Sequence, residues 1–197
     1  MSDIWFAFDT HFGHSNPKTG IGIIQFCNRP FSSIEEMDAK MIENWNSVVS
    51  SKDTVYVSDF AWRNHNHYIM AIKGKKILIR GNHDKMSQDT LKNFTEVHDI
   101  RGITIDGKYI VICHYPMRSW NGKVYKSWHV HGHCHARLDD EAFLALDAGV
   151  DVGLGGKKFF PSNYDTIREI LQKRQDTSRD VDAECLQDET EDLHEKY

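Results

Sequence analysis

Five short clusters combine histidine with carboxylate or amide side chains, which are residue types that bind divalent metal ions in proteins. In one-letter code they are DTHFGH at 9–14, SD at 58–59, GNHD at 81–84, HYP at 114–116 and HVHGHCH at 129–135. Eight of the 12 histidines lie within them. The set offers more ligands than one four-coordinate ion needs. It therefore predicts two neighbouring ions, which in hydrolytic sites lie about 3.5–4 Å apart and hold the attacking and leaving oxygens.

Four candidate ligands come shortly after predicted strands. The strands are short apolar runs at 4–8, 54–57, 76–79 and 109–113. The ligand-type residues that follow them are Asp9, Asp59, Asn82 and His114. In open α/β sheets, ligands bind at the carboxyl ends of the strands. These four side chains are therefore expected to meet at one rim of a sheet.

Helical patterns separate the strands. Apolar residues recur at helical spacing between 33 and 49, and Ser32 or Ser33 can cap that helix. Shorter helices are predicted at 67–72 and 88–94. A last helix is predicted at 162–172, with Ser162 as its cap.

The remaining strands determine the predicted fold class. A strand at 103–105 forms a hairpin with 109–113 around Asp106 and Gly107, a typical hairpin turn. Further strands are predicted at 128–131 and 143–152. Alternating strands and helices followed by a hairpin-rich region predict an α/β fold with mixed sheets.

Charge divides the chain into a near-neutral body and an acidic tail. The 197 residues carry a formal net charge of −5, and residues 175–197 hold nine acidic and two basic side chains. We predict one domain at 1–174 and a flexible acidic tail at 175–197. The body has no dense basic stripe, so binding of long-duplex nucleic acid is not expected.

The sequence does not predict membrane association or export. It has no run of 18 or more apolar residues, and its first residues lack the basic and apolar regions of a signal peptide. The four cysteines form no CxxC pair, which is typical of reduced thiols. Cys134 lies between two histidines but is not expected to bind metal. We expect a cytoplasmic protein.

The order of these motifs resembles that of the calcineurin-like metallophosphoesterases over residues 3 to about 152. DTH at 9–11 is similar to the family's opening DxH, GNHD at 81–84 matches a family motif letter for letter, and GHCH at 132–135 is similar to the closing GHxH. The phrases DTHFGH, CNRPF and GKKILIRGNHD are most similar to a small single-domain branch of bacteria and their phages. This implies a bacterial cell or a phage-infected host. One departure is Ser58, which stands where the family usually has glycine.

The resemblance implies an αββα sandwich, in which two packed mixed β-sheets are flanked by helices and two divalent ions lie at the sheet ends. It implies seven metal ligands, namely Asp9, His11 and His135 for one ion, Asn82, His114 and His133 for the other, and Asp59 as the bridge. It implies that His83 lies near the phosphate and that Asp84 orients it. Manganese is the expected metal, and iron, zinc, nickel and cobalt suit the same donors.

These residues suit the hydrolysis of a phosphate ester. Two dications neutralise an anionic diester and lower the pKa of bound water, so that a hydroxide bridging the ions can attack. A cationic His83 can bind a phosphate oxygen and protonate the leaving alkoxide. His14, Arg29 and Arg118 are candidate substrate contacts. The expected activity is that of a phosphodiesterase, with phosphomonoesters as further substrates, acting on small phosphate esters or nucleotides.

Other functions fit the same chain in different degrees. A nuclease acting on short or single-stranded ends stays open. A non-enzymatic scaffold on the same fold also stays open, although the chain retains every ligand. A metallo-β-lactamase would need HxHxDH and a zinc protease HExxH, and the chain has neither. Protein Ser/Thr phosphatases carry GDxxDRG, whereas FAWRN follows Asp59.

Two sets of residues near the motifs have an ordinary structural interpretation. His129 and His131 alternate along a predicted strand, so they are expected to pack inside the fold. Trp62, Trp120 and Trp128 could line a base-stacking pocket, but aromatic residues beside strands more often belong to the core.

Overall fold

The computed structural model describes residues 2–16, 18–138 and 144–177, and within them the chain forms two β-sheets. The strands, in chain order, are β1 (Ile4–Phe8), β2 (Thr54–Ser58), β3 (Lys75–Ile79), β4 (Glu96–His98), β5 (Ile100–Ile105), β6 (Lys108–Cys113), β7 (Trp128–His131), β8 (Ala145–Asp147) and β9 (Ser162–Asn163). The helices are α1 (Ile23–Phe26), α2 (Ile34–Val48), α3 (His65–Ala71), α4 (Gln88–Leu91) and α5 (164–177).

The first sheet brings three of the predicted ligand loops together. Its strand order is β4-β3-β2-β1-β9, in which the first four strands are parallel and β9 pairs antiparallel with β1. Phe8 at the end of β1 pairs with Ser58 at the end of β2. Asp9 and Asp59 therefore leave the sheet at the same level, and the loop after β3 emerges at the same edge.

The second sheet supplies the other ligand loops. Its strand order is β5-β6-β7-β8, in which β5 and β6 form the predicted hairpin and β6, β7 and β8 are parallel. Asp106 and Gly107 lie in the hairpin turn with φ of 50° and 76°. A parallel bridge joins Phe8 to Gly149, so the ends of β1 and β8 meet where the ligand loops emerge.

The two sheets pack face to face. Phe6 and Phe8 of β1 lie in one buried core together with Ile110, Ile112 and other side chains of the second sheet. Ala7, on the opposite face of β1, belongs to a second core that includes side chains of α2 and α3. This alternation is the pattern of a strand that is buried on both faces. The fold is the predicted α/β sandwich of two packed mixed sheets flanked by helices.

The predicted helix at 33–49 is confirmed as α2. Ser33 is its N-cap, and the Ser33 Oγ accepts a hydrogen bond from the Glu36 amide at 3.1 Å. Met37, Met41 and Trp45 recur at four-residue spacing and are buried in the core on the outer side of the first sheet. The amphipathic pattern therefore identified both the helix and its buried face.

The same helix anchors the loop that follows β1. Asp38 is buried on α2, and its carboxylate accepts hydrogen bonds from the Gly13 amide at 3.1 Å and the Tyr68 hydroxyl at 2.7 Å. Because Gly13 lies two residues after His11, these bonds hold a candidate ligand loop against both α2 and α3.

The last predicted helix begins later than expected. Ser162 and Asn163 pair with β1 as an edge strand, and α5 spans 164–177. The Asn163 Oδ1 accepts from the Asp165 amide at 2.7 Å, so Asn163 caps the helix and the predicted cap Ser162 does not. The pairing depends on β1 lying alongside, which local sequence spacing does not reveal.

Two other strands differ from the predictions. The predicted strand at 143–152 is reduced to Ala145–Asp147, with residues 139–143 outside the described part of the chain. The sequence did not predict β4, whose residues Glu, Val and His form no apolar run. Its position at the edge of the first sheet explains why a polar strand is accommodated there.

The folded body extends past the predicted boundary at residue 174. Gln175 is buried in α5, and its Oε1 accepts hydrogen bonds from Lys108 Nζ at 3.0 Å and Trp128 Nε1 at 3.3 Å. The rest of the predicted tail, 178–197, lies outside the described residues. Within the described ranges, no helix has the length and apolar character needed to cross a membrane.

Candidate metal centre

All seven predicted metal ligands lie at the ends of strands and face one region of the molecule. Asp9 and His11 follow β1, and Asp59 follows β2. The remaining four follow three other strands, namely Asn82 after β3, His114 after β6, and His133 and His135 after β7. The single rim predicted from the strand ends holds for Asp9, Asp59 and Asn82, whereas His114 comes from the second sheet, so both sheets contribute ligands.

The backbone turns sharply at most of these ligands. Five of them have φ in the left-handed region, namely Asp9 (56°), His11 (51°), Asp59 (41°), His133 (72°) and His135 (48°). Residues other than glycine seldom adopt this conformation, and it clusters at functional sites where the surrounding structure enforces it. The turns redirect each chain as it leaves its strand and point its donor atoms at the cluster.

The first candidate ion position is formed by Asp9, His11 and His135. Each offers one donor atom, and the three atoms lie within 4.8 Å of one another. Asp9 Oδ1 and His11 Nε2 are buried, and neither has a hydrogen-bond partner among the described residues. Since a buried polar atom without a partner is costly, a cation between these donors fits the arrangement.

The second candidate position surrounds His114. The His114 Nε2 atom lies 3.0 Å from Asn82 Oδ1, 3.2 Å from His133 Nδ1 and 3.4 Å from Asp59 Oδ2. Four donors from four loops thus converge within contact distance, and a shared cation would satisfy their lone pairs together.

Asp59 lies between the two positions. Its Oδ2 is 3.9 Å from His11 Nε2 and 3.4 Å from His114 Nε2. Its Oδ1 accepts a hydrogen bond from the His83 amide at 2.9 Å, which fixes the orientation of the carboxylate. The geometry therefore fits the bridging role that the resemblance implied for Asp59.

Ser58, which replaces the usual glycine, has a defined contact. It is fully buried, and its Oγ lies 2.8 Å from His114 Nδ1. This hydrogen bond makes Nδ1 the protonated nitrogen when Nε2 offers its lone pair to the cluster. The positive φ at this turn belongs to Asp59 and not to Ser58, so the backbone does not require glycine at 58.

Two glycines of the motifs are required by close approach to ligands. A Cβ atom at Gly81 would lie 2.1 Å from Asp59 Oδ1 and 2.9 Å from His114 Nδ1. A Cβ atom at Gly132 would lie 2.7 Å from Asp9 Oδ2. The glycines of GNHD and GHCH therefore leave room for the carboxylates of other loops.

Asp84 accepts hydrogen bonds from the backbone of two ligand loops. Its carboxylate accepts hydrogen bonds from the backbone amides of Asp59 and Phe60, both at 2.8 Å, and from the Gly81 amide at 2.9 Å. These contacts tie the GNHD loop to the loop after β2. These hydrogen bonds of Asp84 thus hold the ligand backbone, and its expected role in orienting His83 stays a prediction.

His83 and His14 lie together beside the first position. The His83 ring is 5.2 Å from the His11 ring and 5.6 Å from the His14 ring, centroid to centroid. His83 is partly exposed, and His14 is buried with an Nδ1 that has no partner within the described ranges. Both residues lie beside the candidate ion position, and their contact with a substrate stays a prediction.

An ion pair that the sequence analysis missed supports His135. The His135 Nδ1 lies 2.5 Å from Asp151 Oδ2, and Asp151 also pairs with Arg29 through Nε–Oδ1 and Nη2–Oδ2 distances of 2.8 Å. The bond to Asp151 orients the ring so that Nε2 is the nitrogen that would face a metal. Burial lowers the pKa of His135, but the bond to Asp151 and other neighbouring groups raise it to about 10 overall.

Arg29 is therefore corrected from a substrate contact to a buried support. Its side chain is 4% exposed, and it also donates to the carbonyl oxygens of Asp9 at 2.6 Å and Thr10 at 2.9 Å. Arg118 is exposed, and its carbonyl oxygen accepts from Lys123 Nζ at 2.7 Å. A substrate contact by the Arg118 side chain stays a prediction.

Asp147 is a second support that the sequence analysis missed. It is buried, and its carboxylate accepts from the amides of Ala136 at 3.1 Å and Gly149 at 2.8 Å. Asp147 ends β8 and Asp151 follows it by four residues in the run LDAGVD, so two carboxylates inside the strand predicted at 143–152 were the available signal.

Other polar residues near the cluster lie either in the protein core or beside the candidate ligands. His129 and His131 are fully buried, and His129 Nδ1 lies 3.0 Å from the Val111 carbonyl oxygen, as expected for packed strand residues. The cysteine that approaches the ligands is Cys27, which can form a ligand-type group with His135 and Asp151.

Burial dominates the electrostatics of the cluster. It raises the pKa of Asp9 to about 8 and that of Asp59 to about 6, and it lowers the pKa of His114 to about 3. A cation nearby would favour the ionised carboxylates and the neutral imidazole. Two carboxylates buried at this cost therefore fit a site that holds metal.

Comparisons with known proteins identify relatives without a named activity. No family model matches the chain. The chain is 32% identical to the uncharacterized protein MJ1445 of Methanocaldococcus jannaschii over 181 residues, covering 88% of this chain and 93% of that protein. It is 34% identical over 91 residues to the gene 66 protein of Mycobacterium phage L5, covering 43% of this chain and 41% of that protein.

A solved structure supports the fold. The crystal structure of AQ665 from Aquifex aeolicus, a protein of unknown function, superposes with a TM-score of 0.68 at 25% sequence identity. The match covers 86% of this chain and 99% of AQ665.

Because MJ1445 is matched over nearly its whole length, the chain belongs to the family of that uncharacterized protein.

Proposed function

We propose that the protein is a binuclear metal-dependent phosphoesterase that hydrolyses phosphodiester bonds, and phosphomonoesters as further substrates, in small or nucleotide-like molecules. The observation that carries the proposal is the convergence of seven nitrogen and oxygen donors from five strand ends. Two of those donors, Asp9 Oδ1 and His11 Nε2, are buried without a partner in the described part of the chain. This is the chemical character of a cation site.

The donor set fits two divalent ions with Asp59 as the shared ligand. Carboxylate, amide and imidazole donors suit manganese, which we propose as the resident metal, and also iron, zinc, nickel and cobalt. When bound, the ions supply positive charge to the phosphate and lower the pKa of water toward neutrality. Asn82 contributes a neutral oxygen, so the site keeps its attraction for an anionic ester.

His83 is the proposed proton donor. Its ring lies beside His11 at the partly exposed side of the cluster, where it can donate to a phosphate oxygen and then to the leaving alkoxide. Burial lowers the pKa of His83 in the free protein. An anionic phosphate next to the ring opposes that shift and favours the imidazolium form.

His14 is the proposed neutral substrate contact. Its pKa is lowered to about 4, first by burial and then by nearby cationic groups, so the ring is uncharged near neutral pH. Its Nδ1 has no partner among the described residues and is free to hydrogen-bond a substrate oxygen. His14 would therefore orient the ester, whereas His83 would move the proton.

We also propose a cytoplasmic location. Cys27 and Cys113 form no disulfide in the described part of the chain, which fits a reducing compartment. Small phosphate esters and nucleotides are the proposed substrates, and the near-neutral body gives no long basic surface for duplex nucleic acid.

The test combines metal content with hydrolysis of bis-(p-nitrophenyl) phosphate. We expect two ions per chain and activity for the wild type. Asp59→Asn should lower activity by more than the roughly 10–100-fold that loss of an outer hydrogen-bond partner costs. Asp89→Asn is the matched control, because that carboxylate is 91% exposed and forms a surface ion pair with Lys92. A wild type that binds two ions yet hydrolyses neither diesters nor monoesters would overturn the proposal.

A further inference from the structure

Two exposed aromatic rings stand next to the candidate metal centre. Trp62 is 44% exposed and Phe26 is 59% exposed. The Trp62 ring centroid lies 4.4 Å from that of His14 and 5.3 Å from that of His83, and the Phe26 centroid lies 6.1 Å from that of His14. Large aromatic side chains that stay exposed beside a polar cluster are characteristic of ligand sites.

The backbone under Trp62 is fixed relative to the ligands. Trp62 follows Asp59 by three residues in the loop after β2, and its amide donates to the Phe12 carbonyl oxygen at 2.8 Å. Ala61 forms a parallel bridge with Phe12, which belongs to the loop that carries Asp9 and His11. The indole is therefore held by the same two loops that hold the proposed first ion.

Phe26 is positioned from a different part of the chain. It ends α1, and its carbonyl oxygen accepts a hydrogen bond from the Arg137 guanidinium, two residues after His135. The neighbouring His14 ring contacts both Trp62 and Phe26. The exposed rings of Trp62 and Phe26 thus flank the buried His14 ring, to which they are tilted by 48° and 42°. We call these three rings the Trp62 platform, and its Trp62 end lies beside His83.

We propose that the Trp62 platform stacks the base of a nucleotide ester whose phosphate is held at the metal centre. The inference rests on the proposed function and narrows its substrate class to nucleoside phosphodiesters. Its chemistry has two complementary parts, because an anionic phosphate suits the cation site and a planar base suits an exposed indole. Stacking on an aromatic side chain accepts every base, so the platform selects for a base without selecting its identity.

The test uses two diesters that share one leaving group. They are the p-nitrophenyl ester of thymidine 5′-monophosphate, which carries a base, and methyl p-nitrophenyl phosphate, which does not. Trp62→Ala should lower kcat/KM for the thymidine ester about tenfold, mainly through KM, and leave the methyl ester within about twofold. Trp62→Phe should restore most of the loss. Tyr125→Ala is the control, since it removes a ring that is 88% exposed in the turn Lys123–Tyr125.

The two substrates distinguish a failure of base stacking from a failure of the proposed phosphoesterase activity. Equal losses on both esters, or no loss on either, would overturn base stacking while leaving the phosphoesterase intact. If wild-type protein loaded with manganese hydrolyses neither ester, the proposed function fails, and binding then decides the inference. In that case Trp62→Ala should still weaken binding of thymidine 5′-monophosphate about tenfold without changing binding of inorganic phosphate. Equal binding of the nucleotide by both proteins would refute it.

Discussion

The two candidate ion positions differ in burial and in charge. At the first position, Asp9 and His11 are 0% and 3% exposed. At the second, Asn82 and His133 are both exposed, although His114 is buried. The first position has its own carboxylate besides the shared Asp59, whereas the second has only neutral donors of its own. Burial and charge both indicate that the first ion binds more tightly and exchanges more slowly.

The positions also differ in what stands behind the ligands. His135 at the first position is oriented by Asp151, which is itself held by the buried guanidinium of Arg29. His114 at the second position is oriented by the hydroxyl of Ser58. An ion pair that spans the fold restrains its ligand more strongly than one hydroxyl does. The first position is thus held by buried contacts between distant parts of the fold, whereas the second lies nearer the surface and has fewer supporting contacts.

The largest expected effect separates the two positions by substitution. Asp9→Asn removes the buried carboxylate that joins His11 and His135 at the first position, so we expect loss of that ion and more than a hundredfold loss of diesterase activity, beyond the roughly 10–100-fold cost of an outer partner. His133→Ala removes an exposed ligand of the second position, so the protein should keep one ion. Metal analysis after gel filtration measures both.

The outcome that breaks the comparison is easily recognised. If His133→Ala empties both positions, or Asp9→Asn retains two ions, the positions do not differ in the proposed sense. His67→Ala serves as the control, since His67 is exposed on α3 and is not among the proposed ligands.

A smaller effect is expected when the support of the first position is broken. Asp151→Asn leaves the buried Arg29 guanidinium without its anion, so the free energy of unfolding should fall by about 3 kcal/mol. Affinity for the first ion should fall about tenfold through loss of the His135 contact. Urea unfolding and metal titration measure the two effects. Asp99→Asn is the matched control, because it breaks an exposed pair with Arg80, and such pairs contribute little. Equal destabilisation by the two variants would contradict the framework role of Asp151.

The smallest effect is a pH dependence of the metal-free protein. The pKa of Asp9 is raised from 3.8 to about 8, first by burial, and that of His135 from 6.5 to about 10, against burial, by the bond to Asp151 and its other neighbours. Between about pH 6.5 and 8 the folded state therefore binds more protons than the unfolded state, and stability falls as pH rises. Manganese replaces those protons, so its stabilising effect should grow over the same range. Urea unfolding near the two ends of this pH range, in EDTA and in manganese, measures the stability of the metal-free and metal-bound protein. Equal stability of the metal-free protein at the two ends would contradict the prediction.

The sequence was most informative about candidate metal ligands that come just after a strand. Asp9, Asp59, Asn82 and His114 were predicted to share one rim because each follows the end of a strand. The pairing of Phe8 with Ser58 confirms this for Asp9 and Asp59, whereas His114 follows a strand of the second sheet. The amphipathic helix α2 was also found, because its buried face repeats every four residues. These features depend on local spacing, which a single sequence contains.

The sequence was least informative where contacts join distant residues. Arg29 and Asp151 pair across 122 positions, so their role as support for His135 could not be inferred from either segment. The sequence also did not reveal that the Asp84 carboxylate accepts hydrogen bonds from the backbone amides of Asp59 and Phe60, 25 and 24 positions away. The sequence predicted Ser162 as a helix cap, whereas in the structure Ser162 pairs with β1 as part of an edge strand.

The left-handed backbone at five of the ligands has a consequence for how this fold can change over time. Glycine would relax each of those turns, and it would also delete a donor atom. A mutation to glycine would therefore relieve backbone strain and remove a candidate metal ligand at the same time. This holds at Asp9, His11, Asp59, His133 and His135. The chain keeps its donors at a cost in conformational energy, which is the form that a trade-off between stability and the proposed activity would take in this molecule.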